Sequence, residues 1–349
     1  MTRREWIALA AAGTLVKADA MKSILGDGWG LDHFLIALAD PGSVSSIFVT
    51  KLGFTIFPGG VKSPSGDENA VIRLGPQFME LLWFYDRKKA MGSGDEFSKL
   101  LLRTADQGGG PVGYVIDIAP IERIAAELRE RGMKVDLPQS RTILREGKEV
   151  TADWQFLTIS DTGHGASERG VPGGADAGFI DYGSVVRQRI LDPGRTQRHR
   201  ERAEKEFPDP RRRAGEVHPN TARRMRSVWV AVSSVSDALK QAELFGFAAV
   251  AEHEDKLLGA RGREVQCGLG AIIFWESVKP GAPLAALIKQ KGVGPFGLSI
   301  EVADLKVAHQ IIEDGMHKKF PFEGSRKSFI VPAELTAGTW IEFAERPRA

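Results

Sequence analysis

The sequence predicts an α+β fold made of four βαβββ units, paired into two domains. Three observations carry this. An apolar strand followed by a helix and further strands begins at residues 31, 113, 228 and 297, so one order of elements recurs four times. The helix of the first unit ends at Leu52-Gly53-Phe54 and that of the third at Phe245-Gly246-Phe247, the same joint in two places. A chain of 349 residues also exceeds the length over which one core keeps growing, about 250–300 residues. Two cores are therefore expected, over residues 31–186 and 227–345, with 187–226 between them.

In the first unit, residues 31–38 are nearly continuously apolar, as suits a strand buried on one face and covered at its ends on the other. Asp40-Pro41-Gly42-Ser43 breaks the strand and starts a helix, with Ser43 as its N-cap. Val44, Ile47, Phe48 and Leu52 follow at helical spacing, and Gly53 ends the helix. Strands are expected over 55–57, 70–74 and 78–84, punctuated by Gly59-Gly60 and Gly75-Pro76. The second unit reads as strand 113–118, helix 121–131 and strands near 154–159 and 179–182. The third has strand 228–232, helix 235–245 and closing strand 271–275; the fourth has strand 297–302, a helix over 305–314 ending at Gly315, and closing strand 339–343.

Composition excludes several classes. Apolar content of 42% and charged content of 26% are those of a globular protein. No run reaches the roughly 18–20 apolar residues of a membrane span. The single cysteine, Cys267, excludes an intrachain disulfide and a cysteine-based metal cluster. At the N-terminus, Arg3-Arg4 precede the apolar run 6–16, and Ala18-Asp19-Ala20 offers small residues at peptidase spacing. Residues 1–20 thus resemble a twin-arginine export signal, which implies a periplasmic location, or a cytoplasmic one if the segment is instead a helix of the domain. Residues 187–226 hold thirteen Lys and Arg against six Asp and Glu. Without aromatics interleaved for base stacking, this stretch reads as a solvated helix and loop over the seam between the halves rather than a nucleic-acid surface.

His33 and Glu80 stand out within the first unit. In Phe78-Met79-Glu80-Leu81-Leu82 the glutamate shares a strand face with Phe78 and Leu82, so its carboxylate needs a cation or hydrogen-bond donors. His33 lies on an equally apolar strand and offers a neutral imidazole nitrogen. A metal ion, a network or a direct His33–Glu80 pair would each answer the requirement.

Leu31-Asp32-His33, the Leu-Gly-Phe helix end, Pro58-Gly59-Gly60 and Phe78-Met79-Glu80-Leu81-Leu82 together resemble the glyoxalase-like branch of the vicinal oxygen chelate superfamily. The phrase His218-Pro219-Asn220-Thr221-Ala222 entering the third unit is similar to one found in that group. The resemblance implies two glyoxalase-like domains, each a curved mixed sheet around a cup with a divalent metal (Zn, Fe, Mn or Ni) at its base. Carried over residue by residue, it implies His33, Glu80 and Asp181 as metal ligands, and Glu80, Tyr114 and Asp181 as catalytic groups. Tyr114 falls about where a second histidine would stand, so neither a full ring-cleaving dioxygenase set nor a full four-ligand glyoxalase set is present.

The implied activity is metal-assisted chemistry on a small molecule with neighbouring oxygens, leaving lyase, isomerase and dioxygenase types open. The alternative is a metal-free binding or sequestering protein, its cup lined by Phe34, Trp83, Tyr85 and Tyr114. A homodimer is compatible with either. Glu342 repeats the Glu80 position in the fourth unit and is a lesser ligand candidate. The glycine-rich stretch 161–178 is read as a loop that closes over a ligand or as a plain insertion. His199, His253, His309 and His317 show no metal-ligand spacing.

Overall fold

A computed structural model describes residues 22–57, 61–163, 168–322 and 327–345. The export-signal reading of residues 1–20 and the Pro58-Gly59-Gly60 motif lie outside the described residues, as does His164.

Two seven-stranded sheets form the frame, one from strands between residues 30 and 181 and the other from strands between 222 and 345. The first unit supplies β1 (Gly30–Ala37), β2 (Asp67–Leu74) and β3 (Gln77–Phe84); the second supplies β4 (Gly110–Asp117), β6 (Gln139–Arg145), β7 (Lys148–Leu157) and β9 (Ala177–Asp181). The short pair β5 (Lys134–Val135) and β8 (Ile159–Asp161) stands apart. The first sheet runs β2-β3-β1-β4-β9-β7-β6. Its centre is an antiparallel pair, β1 with β4, and each of these has its own closing strand beside it in parallel.

The second sheet repeats the plan with β10 (Ala222–Ala231), β11 (Ala249–Asp255), β12 (Ala260–Cys267), β13 (Gly270–Ser277), β14 (Gly294–Val302), β15 (Ser328–Val331) and β16 (Trp340–Glu345). Its order is β11-β12-β13-β10-β14-β16-β15, again with an antiparallel pair in the middle. The four-unit reading of the sequence is the architecture found.

Each unit's helix packs behind its sheet. They are α1 (Val44–Lys51), α4 (Ile121–Glu130), α7 (Val235–Glu243) and α9 (Leu305–Met316). One apolar core spans both domains, joining Phe34, Phe48 and Ile116 of the first to Phe245, Ile312 and Phe343 of the second. Helix α1 is wound as a π-helix, closing with Leu52 N–H donating to Ile47 O at 2.9 Å. Ser43 precedes it in helical backbone and makes no side-chain cap, contrary to the expected N-cap. Gly53 ends it at φ 73, the left-handed conformation glycine adopts without strain. Gly315 sits inside α9, one residue short of its end, because a Cβ there would meet Lys51 O at 2.5 Å.

The phrase His218-Pro219-Asn220 ties the halves together. Thr55 N–H donates to His218 Nδ1 at 3.0 Å, and His218 Nε2–H donates to Arg73 O at 2.8 Å. Asn220 Nδ2 donates to Leu52 O at 2.8 Å. This arrangement needs a neutral imidazole, and burial holds the His218 pKa down to about 4. A histidine whose folded pKa lies below its unfolded value lends stability that is complete above pH 6.5 and is lost as pH falls towards 4. Urea denaturation at pH 7 and pH 4 is expected to show His218 contributing a loss of about 3 kcal/mol. His218→Gln should flatten that part of the profile.

Among the described residues no helix is long and apolar enough to cross a membrane. The basic segment is two helices, α5 (Gly183–Leu191) and α6 (Gly194–Glu206), and these do more than cover a seam. Val186, Arg189, Ile190 and Arg195 form part of the wall of the first domain's cup.

Candidate functional site

The first sheet curls around a cavity of ≈1080 Å³. Strand alternation decides what faces it. From β2 these are Asp67, Asn69, Val71 and Arg73, from β3 Phe78, Glu80 and Leu82, and from β1 His33 and Leu35. Helix α3 (Glu96–Asp106), which follows the short helix α2 (Arg87–Gly92), closes one side with Phe97 and Leu100.

His33 and Glu80 meet here. His33 Nε2 lies 3.5 Å from Glu80 Oε2, with the two side chains 5% and 16% exposed. The ring stacks on Phe78 at a centroid distance of 4.4 Å, and Glu80 Oε1 accepts a hydrogen bond from Asn69 Nδ2. On its far side, His33 Nδ1 donates to Asp32 Oδ2 at 2.5 Å.

Asp32 is the residue that strand alternation hides. Leu31 pairs with Ile116 and His33 with Val115, so Asp32 is an extra residue in a β-bulge. A regular strand would send Asp32 to the face opposite His33. The bulge puts both on the same side of the sheet, with Asp32 fully buried behind His33, where it also accepts from Trp29 Nε1 at 3.1 Å and Tyr182 Oη at 2.7 Å. Burial, reinforced by the Asp32 charge, pushes the Tyr182 hydroxyl well above its ordinary range and keeps it a donor. Its adjacency to His33 in Leu31-Asp32-His33 was the available signal.

Tyr114 and Asp181 are not part of this pair. Tyr114 is opposite Phe34 in the β1–β4 register, so it points to the core side, fully buried, with its hydroxyl on Gly170 O at 2.8 Å. Val115 is the residue opposite His33. Asp181 likewise lies one residue beyond the cup-facing Ile180. It accepts from Ile121 N at 3.0 Å, Gly183 N at 2.8 Å and Arg187 Nη2 at 2.8 Å. In both strands an offset of one residue reverses the face. The expected His33, Glu80 and Asp181 ligand set is therefore not assembled. Among the described residues no three His, Cys, Asp or Glu side chains gather as a metal-binding group. Of the cup's His, Asp and Glu side chains, His33 and Glu80 stand together as a pair, fewer than the three protein ligands of a catalytic zinc centre.

The second cup has a different filling. By the same register Ser227 and Ile273 hold the places of His33 and Glu80. Trp229, Trp275, Phe296 and Ile330 pack there with Leu284 from α8 (Pro283–Lys291). Glu342 belongs to this second sheet, 8% exposed, and accepts from Ser328 Oγ at 2.7 Å. The described part of the glycine-rich stretch is tied to β4 by Tyr114, through its hydroxyl on Gly170 O at 2.8 Å and its N–H on Asp176 O at 3.0 Å, and is braced internally by Arg169 Nε on Asp176 Oδ2 at 2.7 Å.

Comparison with known proteins agrees with this frame. The family model of the glyoxalase-like domain matches residues 31–245. The chain belongs to the glyoxalase-like domain family. Among solved structures, a mutant of 4-hydroxymandelate synthase from Streptomyces coelicolor matches with a TM-score of 0.59 at 12% identity, over 92% of this chain and 94% of that one. A hypothetical protein from Staphylococcus aureus matches with a TM-score of 0.53 at 13% identity, over 90% of this chain and 98% of that one. The family match and the first of these structures place this glyoxalase-like chain in the vicinal oxygen chelate fold, and both structures show the fold alone. No curated protein matches it in sequence.

Proposed function

We propose that this glyoxalase-like protein is an enzyme that moves a proton on a small oxygen-bearing molecule held in the first cup, with Glu80 and His33 as the reacting pair. The observation that supports it is the 3.5 Å approach of His33 Nε2 to Glu80 Oε2 inside a large cavity, each braced from behind, by Asp32 and Asn69. A carboxylate at a cavity wall serves as a base for a C–H beside a carbonyl. The proton passes to Glu80, the electron pair of the broken C–H bond moves onto the carbonyl oxygen, and a proton on His33 Nε2 stabilises that oxyanion. Return of the proton to the same or the neighbouring carbon completes an epimerisation or isomerisation.

The divalent ion implied by the sequence resemblance would have His33 and Glu80 as its donors. One ion per purified chain, lost in His33→Ala, would replace the proton-transfer reading with that one. The sequestering alternative draws support from Phe78, Phe97, Trp154 and Phe156 in the cup wall. The test is exchange of carbon-bound hydrogen in D2O, followed by NMR over a panel of 2-hydroxy and 2-oxo compounds. Turnover-dependent exchange that Glu80→Gln lowers about 10²–10⁴-fold is expected. Saturable binding without exchange across the panel would establish the sequestering protein instead.

A further inference from the structure

The cup is lined by seven arginines and five carboxylates. Two of those arginines already have carboxylate partners: Arg169 on Asp176 at 2.7 Å and Arg145 on Asp153 at 3.3 Å. Arg141 lies over the rings of Phe97 and Phe156 at 5.3 and 5.2 Å. Arg103 and Arg189 are exposed to solvent, which serves their charge. Arg73 and Arg195 differ in being half-buried. Arg73 projects from β2 on the same face as Asn69, and among the described residues its guanidinium makes no hydrogen bond or ion pair. Arg195, on α6, donates one bond to Ile190 O at 3.0 Å and is otherwise unpartnered among the described residues.

These two cations sit together at the His33 end of the cup. Burial lowers the pKa of both, and that of Arg195 reaches about 10 with Arg73 as the next cause. His199 beside them is held down to about 4 by burial and then by Arg195 and Arg73. Both arginines feel the attraction of the Asp32 charge. Asp32 is not available to pair with them, because Trp29, His33 and Tyr182 already donate to its oxygens. Two half-buried guanidinium groups with no counter-charge, facing a cavity beside the reacting pair, are arranged for an oxyanion. The guanidinium fork matches carboxylate and phosphate oxygens, and its attraction grows where water is excluded.

We infer that the substrate carries a carboxylate or phosphate group, and that Arg73 and Arg195 hold this group beside His33 and Glu80. The inference rests on the proton-transfer reading for what happens next to the anion, and not for the binding itself. An anion so placed puts the reacting carbon one or two bonds away, as in a 2-oxo acid, a 2-hydroxy acid or a phosphorylated hydroxyketone.

The test titrates the full-length protein with pyruvate and with inorganic phosphate at low salt, read by calorimetry and tryptophan fluorescence. Saturable binding of at least one is expected, with Arg73→Met and Arg195→Met each weakening it about tenfold or more and Arg73→Lys weakening it less. Pyruvate alone binding identifies a carboxylate; phosphate alone binding identifies a phosphate ester. Circular dichroism checks that the variants are folded, and the unbonded Arg73 side chain makes its truncation safe to read. Failure of the wild type to bind either anion overturns the inference, as does binding that both methionine variants retain within about twofold. His33→Ala separates the two readings. Anion binding kept in His33→Ala, with no exchange in the wild type, leaves the anion site standing and removes the proton-transfer reading; exchange confined to neutral compounds does the reverse.

Discussion

Arg187→Met is expected to destabilise the fold by about 3–5 kcal/mol at pH 8. Arg187 is the cation of a buried cluster that closes the second unit. It donates to both oxygens of Asp117, one of these bonds at 2.9 Å, and to Asp181 Oδ1 at 2.8 Å. Its guanidinium also lies 5.0 Å from the Trp29 ring, over which it packs. Asp117 is fully buried, and among the described residues methionine would leave its carboxylate with the 2.8 Å bond from Trp29 N alone. Burial already raises the Asp117 pKa to about 7 against the pull of Arg187. An acid whose folded pKa lies above its unfolded value is least costly at low pH, and its contribution is lost as pH rises through about 7. Removing the cation raises that pKa further. The loss in Arg187→Met should therefore be smaller at pH 5.5 than at pH 8 in urea denaturation. Adding Asp117→Asn should restore part of it, since the uncompensated charge is the costly element. A variant within about 1 kcal/mol of wild type at pH 8 would show that the cluster carries little stability.

The repeat was legible because it rests on many residues at once. Apolar runs, helix stops and glycine joints agree in each unit, so four βαβββ units could be read without alignment. The candidate site was legible only where one residue carried the signal. Glu80 is the single charged residue in the apolar run of its strand, and His33 is the single histidine of the strand beside it. Tyr114 and Asp181 failed by one residue each. Their strands are buried on both faces, and a near-continuous apolar run does not say which parity faces the cup. Asp32 failed for the opposite reason, because the bulge that turns it inward depends on pairing with β4, a contact across some eighty residues of chain. Arg195 falls in the basic segment that reads as solvated, and nothing in the sequence sets Arg73 apart. Their meaning comes from what is missing around them, and only the assembled cup shows that.

Asp32→Asn is expected to lower the exchange rate about 10³–10⁴-fold while costing the fold about 1–3 kcal/mol. The carboxylate accepts three hydrogen bonds, from Trp29 Nε1, His33 Nδ1 and Tyr182 Oη, and donates none. An amide has one accepting oxygen and one donating nitrogen. Wherever the nitrogen points, it confronts a donor: Trp29, whose N–H cannot invert; Tyr182, whose hydroxyl can rotate; or His33, whose proton can move to Nε2. The last arrangement is reached most readily, because Asp32 Oδ2 serves both His33 and Tyr182. It fixes the proton on the nitrogen facing Glu80 and removes the charge that stabilises a doubly protonated ring. His33 then donates to the substrate oxygen without becoming the stronger acid that the reaction needs. A purely structural role predicts that Asp32→Asn loses rate only in proportion to its loss of folded protein. The positioning role predicts a fall in kcat far beyond that loss with KM changed less than about threefold, since the ring stays in place while its proton is misplaced. Tyr182→Phe is the milder companion. It deletes one donor, leaves the Asp32 charge and the His33 bond in place, and should lower the rate about tenfold. Equal effects of the two variants would assign the whole network to packing.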